Sequence, residues 1–195
     1  MKESILLAFL LFVLAAQISA ALDDRELARR IRDGDHQAFK QFFDRYHATL
    51  MGYLQRKGLT GEAAQDIVQN AFIWVWDHRE TIEPQKSLRA LLFRIGYTRM
   101  LNFHRDHAKF ERHEELSTLT ASRAGSPEYS MIREKLMEAM AALPERRRAV
   151  FELCFLEEMT YRETAEALEI SVKTVENQMS HALKAVRAAL ADFRS

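Results

Sequence analysis

Cysteine is nearly missing from this 195-residue chain: Cys154 stands alone. One thiol cannot close an internal disulfide or build a cysteine zinc cage, and its apolar helical surroundings mark it as a small core residue. Glycine and proline are sparse, six and three residues, and no stretch alternates polar and apolar as a strand would. Those absences leave an all-α fold. There is no excess of either charge, with 28 Lys and Arg against 28 Asp and Glu, so any grip on nucleic acid has to come from local clustering. No Gly-rich phosphate loop, nucleophile elbow or paired acid/base carboxylates occur. The chain is expected not to be an enzyme, to need no cofactor and to take no small-molecule substrate. His104 and His107 share a helix face, but their neighbours are basic and no Cys or carboxylate cluster completes a site, so no metal is expected.

What is present concentrates in residues 160–190. Thr160 and Glu163 form a capping box that starts a helix, Ala165 and Leu168 give it a short apolar face, and Ala165 lets a second helix cross closely. That helix stops near Glu169, and Ser171 caps the next. Val175, Met179, Ala182, Leu183, Val186, Leu190 and Phe193 then recur at helical spacing and define a buried stripe. The opposite stripe carries Lys173, Thr174, Asn177, Gln178, His181 and Lys184, side chains able to reach bases or phosphates in a major groove. The pattern is a helix-turn-helix.

The N-terminal half is a second helical unit. Leu27 and Ile31 face inward on a charged helix that Gly34 breaks, and Asp35 caps a helix with the stripe Ala38, Phe39, Phe42, Phe43, Tyr46, Leu50, Met51 and Leu54. After Gly58 a third helix buries Ala64, Ile67, Val68, Ala71, Phe72, Val75 and Trp76. Its other face, Asp66, Gln69, Asn70 and Ile73, mixes carboxylate, amides and an exposed aliphatic as a protein-docking surface does. From Ser87 to about Arg112 a further helix sets Leu88, Leu91, Leu92, Ile95 and Leu101 inward. Arginines and lysines, interleaved with Phe93, Tyr97 and Phe103, fill the remainder. Basic residues track phosphates and aromatics stack on unpaired bases. Residues 113–130, small and polar with Gly125 and Pro127, read as a flexible linker that lets two domains, 23–112 and 131–195, sit apart. Within the second domain Ile132, Leu136, Met140 and Leu143 line one helix. Pro144 opens another, with Val150, Phe151, Leu153, Cys154 and Leu156 as its core.

Residues 1–22 form an apolar leader. Lys2 precedes an apolar run from Ile5 to Ala16, and Ile18, Ser19 and Ala20 resemble a cleavage site, as in a secretory signal peptide. Export conflicts with a DNA-reading chain. A start assigned too far upstream is favoured over a membrane tether or a helix folded onto the body, and the chain is expected in the cytoplasm.

The order of these segments resembles the extracytoplasmic-function (ECF) sigma factors of bacterial RNA polymerase. DGDHQAFKQFFDRYH, AAQDIVQNAFIWVW, LPERRRAVFEL and YRETAEALEISVKTVENQMSHALKAVR each look like a family segment, and SVKTVENQ looks like the Bacteroidetes-type subgroup. The resemblance implies that residues 33 to 112 are region 2, docking on the polymerase β′ clamp helices through Asp66, Gln69, Asn70 and Ile73. It implies that Arg94, Tyr97, Thr98, Arg99, Asn102 and Arg105 hold the unpaired −10 strand. It implies that region 4, which meets the β flap, lays Lys173, Thr174, Asn177, Gln178, His181 and Lys184 on the −35 element, and that an anti-sigma factor restrains the whole. The sequence departs from the family where Leu91 replaces Trp, Thr98 replaces Asn, Asn102 replaces Asp, Thr164 replaces an aliphatic and Glu169 replaces Gly. Glu169 implies either ordinary backbone angles at the turn or some strain. The alternatives are a stand-alone helix-turn-helix regulator and a membrane-tethered interaction protein; the lack of alternating strands in the N-terminal half counts against the receiver domain of the former.

Overall fold

A computed structural model describes residues 23–108 and 127–191. Every regular element among them is helical: α1 over residues 23–32, α2 (His36–Arg56), α3 (Gly61–Asp77), α4 (Leu88–Ala108), α5 (Pro127–Ala141), α6 (Glu145–Phe151), α7 (Tyr161–Leu168) and α8 (Val172–Ala189). No helix among the described residues is long and apolar enough to cross a membrane. The leader, the linker core, Lys109, Arg112 and Phe193 lie outside the described residues.

Helix starts follow from their capping residues. The Asp35 carboxylate accepts from the Gln37 and Ala38 amides at 2.8 and 3.1 Å, Thr60 accepts from Ala63, and Ser171 accepts from Thr174. Between α1 and α2 Gly34 sits at φ +86, where a side chain is strained. At α7 the capping box is complete in both directions. Helix α5 starts at Pro127, not at the 131 boundary of the sequence reading, because proline fits the first helical position.

The N-terminal lobe, α1 to α4, packs around Leu27, Ile31, Phe42, Leu50, Tyr53, Leu54, Val68, Val75, Leu88 and Leu92, all close to fully buried. Each large apolar side chain taken out of water contributes about 1.5–3 kcal/mol. Helix α4 crosses α2 where a β-carbon on Gly96 would stand 2.9 Å from Leu50 Cδ1, so the glycine permits the approach. The C-terminal lobe, α5 to α8, closes on Met140, Leu143, Val150, Phe151, Ala165, Val175, Met179, Ala182 and Val186.

Several expected core positions lie elsewhere. Phe43 and Leu101, placed inward by the sequence, are each 38% exposed, and Leu156 is exposed too. Leu156 is turned out by a wide π-type turn, Glu152–Leu156, which interrupts the α-helical period after α6. Conversely Phe93, grouped with the base-stacking aromatics, is fully buried against Tyr53 at 5.4 Å. The two lobes do not sit apart: α7 lies along α4, and Leu153, Met159 and Ala167 join the N-terminal lobe's core.

Candidate nucleic-acid interface

Three polar faces emerge from this packing. On α3 the inward stripe is Ala64, Ile67, Val68, Ala71, Phe72 and Val75. What remains outward is Asp66, Gln69 and Asn70, all exposed, with Ile73 48% exposed. The four fall on one stripe by their three- and four-residue spacing. Phe43 on α2, which the sequence placed in the core, is instead partly exposed, its ring tilted against Phe72 at 4.9 Å and His47 at 4.7 Å. Trp76 instead holds the end of α3, against His36 at 4.4 Å, Phe39 at 4.9 Å and the Arg79 guanidinium at 4.8 Å.

On α4 the six expected residues divide. Thr98, Asn102 and Arg105 are exposed along one stripe, and Leu101 joins them as an exposed apolar contact. Arg99 is half-buried. Arg94 reaches across to the Glu169 carboxylate of the helix-turn-helix at 3.4 Å. Tyr97 is half-buried, and its phenol is pushed up first by burial and then by the negative charge of Glu145 in α6. Phe103 is half-buried and stacks on His107 at 3.8 Å. Of the three interleaved aromatics, then, Phe93 is core, while Tyr97 and Phe103 keep one side at the surface.

On α8 the buried stripe is Val175, Met179, Ala182 and Val186. The exposed stripe is Lys173, Glu176, Asn177, Ser180, His181 and Lys184. Thr174 and Gln178 are half-buried: the Thr174 amide donates to the Ser171 hydroxyl, and the Gln178 carbonyl accepts from Arg147 Nε at 3.2 Å. The sequence stripe missed Glu176 and Ser180. A helical-wheel count finds both, and an outward carboxylate fits a cytosine amino group as well as Lys173, to which Glu176 is paired at 3.0 Å.

At the turn between α7 and α8 the second of the two alternatives for Glu169 holds: it adopts φ 54, ψ 44, the left-handed region, rather than ordinary backbone angles. Thr164, where an aliphatic was usual, is fully buried and meets Cys154 Sγ at 3.2 Å. Burial pushes the Cys154 thiol up, so it carries no thiolate character. Between the lobes lies an open cleft of about 620 Å³, lined by Asp23, Asp24, Arg45, Tyr46, Ser87 and Glu163 among others. On one wall Arg45 donates to Asp23 at 2.5 Å and to Asp24 at 2.8 Å, and Tyr46 donates to Asp24 at 3.2 Å. Among the described residues no three His, Cys, Asp or Glu side chains gather as metal ligands.

Comparison with known proteins identifies the segments that carry these faces. The sigma-70 region 2 profile matches residues 42–110, and the sigma-70 region 4 profile matches residues 133–186. Together they take in all three faces and more than half of the chain. The chain is 28% identical over 169 residues to the ECF RNA polymerase sigma factor RpoE of Cereibacter sphaeroides, covering 83% of this chain and 91% of that one. It is 28% identical over 188 residues to the RNA polymerase sigma factor CnrH of Cupriavidus metallidurans, covering 88% and 96%. The solved structure of CnrH in complex with the cytosolic domain of CnrY superposes with a TM-score of 0.63 at 27% identity, covering 89% of this chain and 99% of that one. The sigma factor RpoE with the anti-sigma factor NepR from Bartonella quintana shares the fold, with a TM-score of 0.61 at 20% identity.

Proposed function

This chain belongs to the sigma-70 family as an ECF sigma factor with regions 2 and 4, and from that premise we propose which of its residues do the work. Sigma factors bind core RNA polymerase and promoter DNA and direct initiation; they are not enzymes. Asp66, Gln69, Asn70 and Ile73 dock region 2 on the polymerase β′ clamp helices. Arg94, Tyr97, Thr98, Arg99, Asn102 and Arg105 hold the opened −10 strand, with Leu101 beside them. Lys173, Glu176, Asn177, Ser180, His181 and Lys184 read the −35 element from the major groove, while Thr174 and Gln178 support that helix from its flank, and region 4 docks on the β flap.

The observation that carries this assignment is the outward face of α3. A carboxylate, two amides and a half-exposed isoleucine lie on one stripe of a helix whose other side is sealed. Such a face has no intramolecular use. The protein performs no covalent chemistry. It lowers the cost of strand opening by binding unstacked bases, and two modest DNA contacts add through one linker. The function places the chain in the cytoplasm with the chromosome. The SVKTVENQ segment supports a Bacteroidetes-type subgroup, in which an anti-sigma factor works with an outer-membrane transducer. The stand-alone regulator is the losing alternative, because it has no use for the α3 face.

The test is capture of purified core polymerase by the full chain and by the Asp66→Ala/Gln69→Ala variant. The variant is expected to lose at least tenfold in affinity with an unchanged circular dichroism spectrum. Equal capture by both removes the assignment.

A further inference from the structure

Arg147 of α6 and Gln178 of α8 are joined by one hydrogen bond, from Arg147 Nε to Gln178 Oε1 at 3.2 Å. Val150 and Phe151 of α6 share a core with Val175, Met179 and Ala182 of α8, so the two backbones that carry the pair are fixed relative to one another. A guanidinium can only donate. The bond therefore decides which way the Gln178 amide is turned: oxygen toward Arg147, nitrogen away from it. Among the described residues no acceptor meets the Gln178 Nε2 atom or either Arg147 Nη atom. Polar side-chain atoms buried without a partner occur, among the described residues, at Tyr53, Arg89 and Glu152, so these three nitrogens open to solvent. What the pair presents outward is donors alone, with one positive charge.

The place of the pair on α8 sets what those donors can meet. A helix with its side chains is about 10–12 Å across and the major groove is about 12 Å wide, so a helix lying there meets base edges along its middle and phosphates along its flanks. Gln178 is one position past the exposed Asn177, about 100° farther round the helix, and it is half-buried. It stands on the flank that faces α6. With Nε committed to Gln178, Arg147 keeps the edge formed by its two Nη atoms, a planar fork that matches two phosphate oxygens. Contacts of that kind fix the position of a protein on a duplex and carry no sequence information. Of the two targets open to Gln178 on sequence, base or phosphate, the pair selects the phosphate.

We propose that Arg147 and Gln178 together form a seat for one backbone phosphate beside the −35 element. The seat presupposes the assignment of α8 to that element. Arg147, which lies outside the helix-turn-helix, supplies the charge. Gln178 works through it: the carbonyl aims the guanidinium, and the amide nitrogen adds a donor to the same phosphate. Asn177, one position away, is left to meet base edges. Because the seat is shared between α6 and α8, it ties the depth and rotation of the recognition helix in the groove to a helix that never enters it.

The test uses holoenzyme, core polymerase with the full chain. Wild-type holoenzyme first selects promoter duplexes from a library randomised across both elements. Affinity for a selected duplex is then measured over a range of potassium chloride for wild type, Arg147→Ala, Gln178→Ala, Gln178→Glu and the double alanine variant. Arg147→Ala should bind roughly fivefold more weakly, the loss of a charged hydrogen-bonded contact. Its slope of log affinity against log salt should become shallower by about 0.9, the value of one phosphate contact. Gln178→Ala should bind roughly twofold more weakly with the slope kept, since a neutral amide is lost and the charge remains. Gln178→Glu has the shape of the amide, but its carboxylate neutralises Arg147 and repels the phosphate. It should bind at least as weakly as Arg147→Ala, with the same shallow slope. The double alanine variant should lose less than the two single losses combined, because Gln178 acts through Arg147. Selection repeated with Gln178→Ala should return the wild-type −35 sequence. Slopes that stay at the wild-type value in both Arg147→Ala and Gln178→Glu overturn the seat, and so does an altered −35 preference in Gln178→Ala, which would make that residue a base reader. If Arg147→Ala fails to fold, Gln178→Glu carries the same prediction without touching α6. A library that wild-type holoenzyme enriches no further than core polymerase alone overturns the sigma-factor reading itself.

Discussion

Glu169 and Glu157 show how single side chains in the C-terminal lobe are held at a cost. Glu169 occupies the left-handed region at φ 54, where an L-residue loses about 1–2 kcal/mol, and its pair with Arg94 is largely solvent-exposed, at most about 1 kcal/mol. Glycine relieves the strain but has more freedom to lose on folding. Glu169→Gly is therefore expected to raise the melting temperature by about 2 °C, read by calorimetry; a fall would mean that the Arg94 contact outweighs the strain. Glu157 is buried, and burial pushes its carboxyl up more strongly than Arg56 and Arg89 pull it down. A carboxyl raised on folding favours the folded state fully below its ordinary value of 4.5, and that advantage is lost as pH rises through the raised value. Glutamine imitates the protonated form at every pH. Urea midpoints should show Glu157→Gln gaining on wild type as pH rises from 4.5 toward 7, and a constant difference would contradict this.

At the scale of elements, α4 approaches α2 through Gly96, with the Leu50 methyl where a β-carbon would go. Leu50 is wholly buried and cannot step aside. Alanine at this position improves helix propensity by about 1 kcal/mol but overpacks the crossing by about 1–3 kcal/mol. Gly96→Ala is expected to destabilise by about 1 kcal/mol in urea unfolding, and a gain in stability would show that the crossing relaxes freely. The helices themselves were legible because the sequence states their ends: Asp35, Thr60, Thr160 and Ser171 all cap as their types require. The outward faces of α3 and α8 followed from periodicity, although Glu176 and Ser180 lay one position beyond the stripe read from charge type. Periodicity failed where local period or partner changed. The π-type turn exposes Leu156, and Tyr53 draws Phe93 into the core although it sits among basic residues. The contact between lobes was illegible because its pairs, such as Arg56 with Glu157, join residues about a hundred positions apart, and nothing local at either end announces the other.

For the whole molecule, zero net charge conceals an arrangement in which cations of one lobe face carboxylates of the other. Under the proposed function, general phosphate affinity is then left to the polymerase, and the chain's own side chains are assigned discrimination. That division predicts separable defects. In run-off transcription with core polymerase, Asn177→Ala should change tolerance for −35 substitutions and leave −10 preference intact, and Asn102→Ala should do the reverse. A variant that alters both equally would show that the two lobes do not read independently. The wide turn at Glu152–Leu156 has a bearing on how this protein can vary. One residue more or fewer there rotates whatever follows by about 100° about the helix axis. A homologue that lost a single codon in that segment would present a different edge of its recognition module to its own sister lobe. Its resting shape would be altered while every side chain proposed to read bases stayed the same.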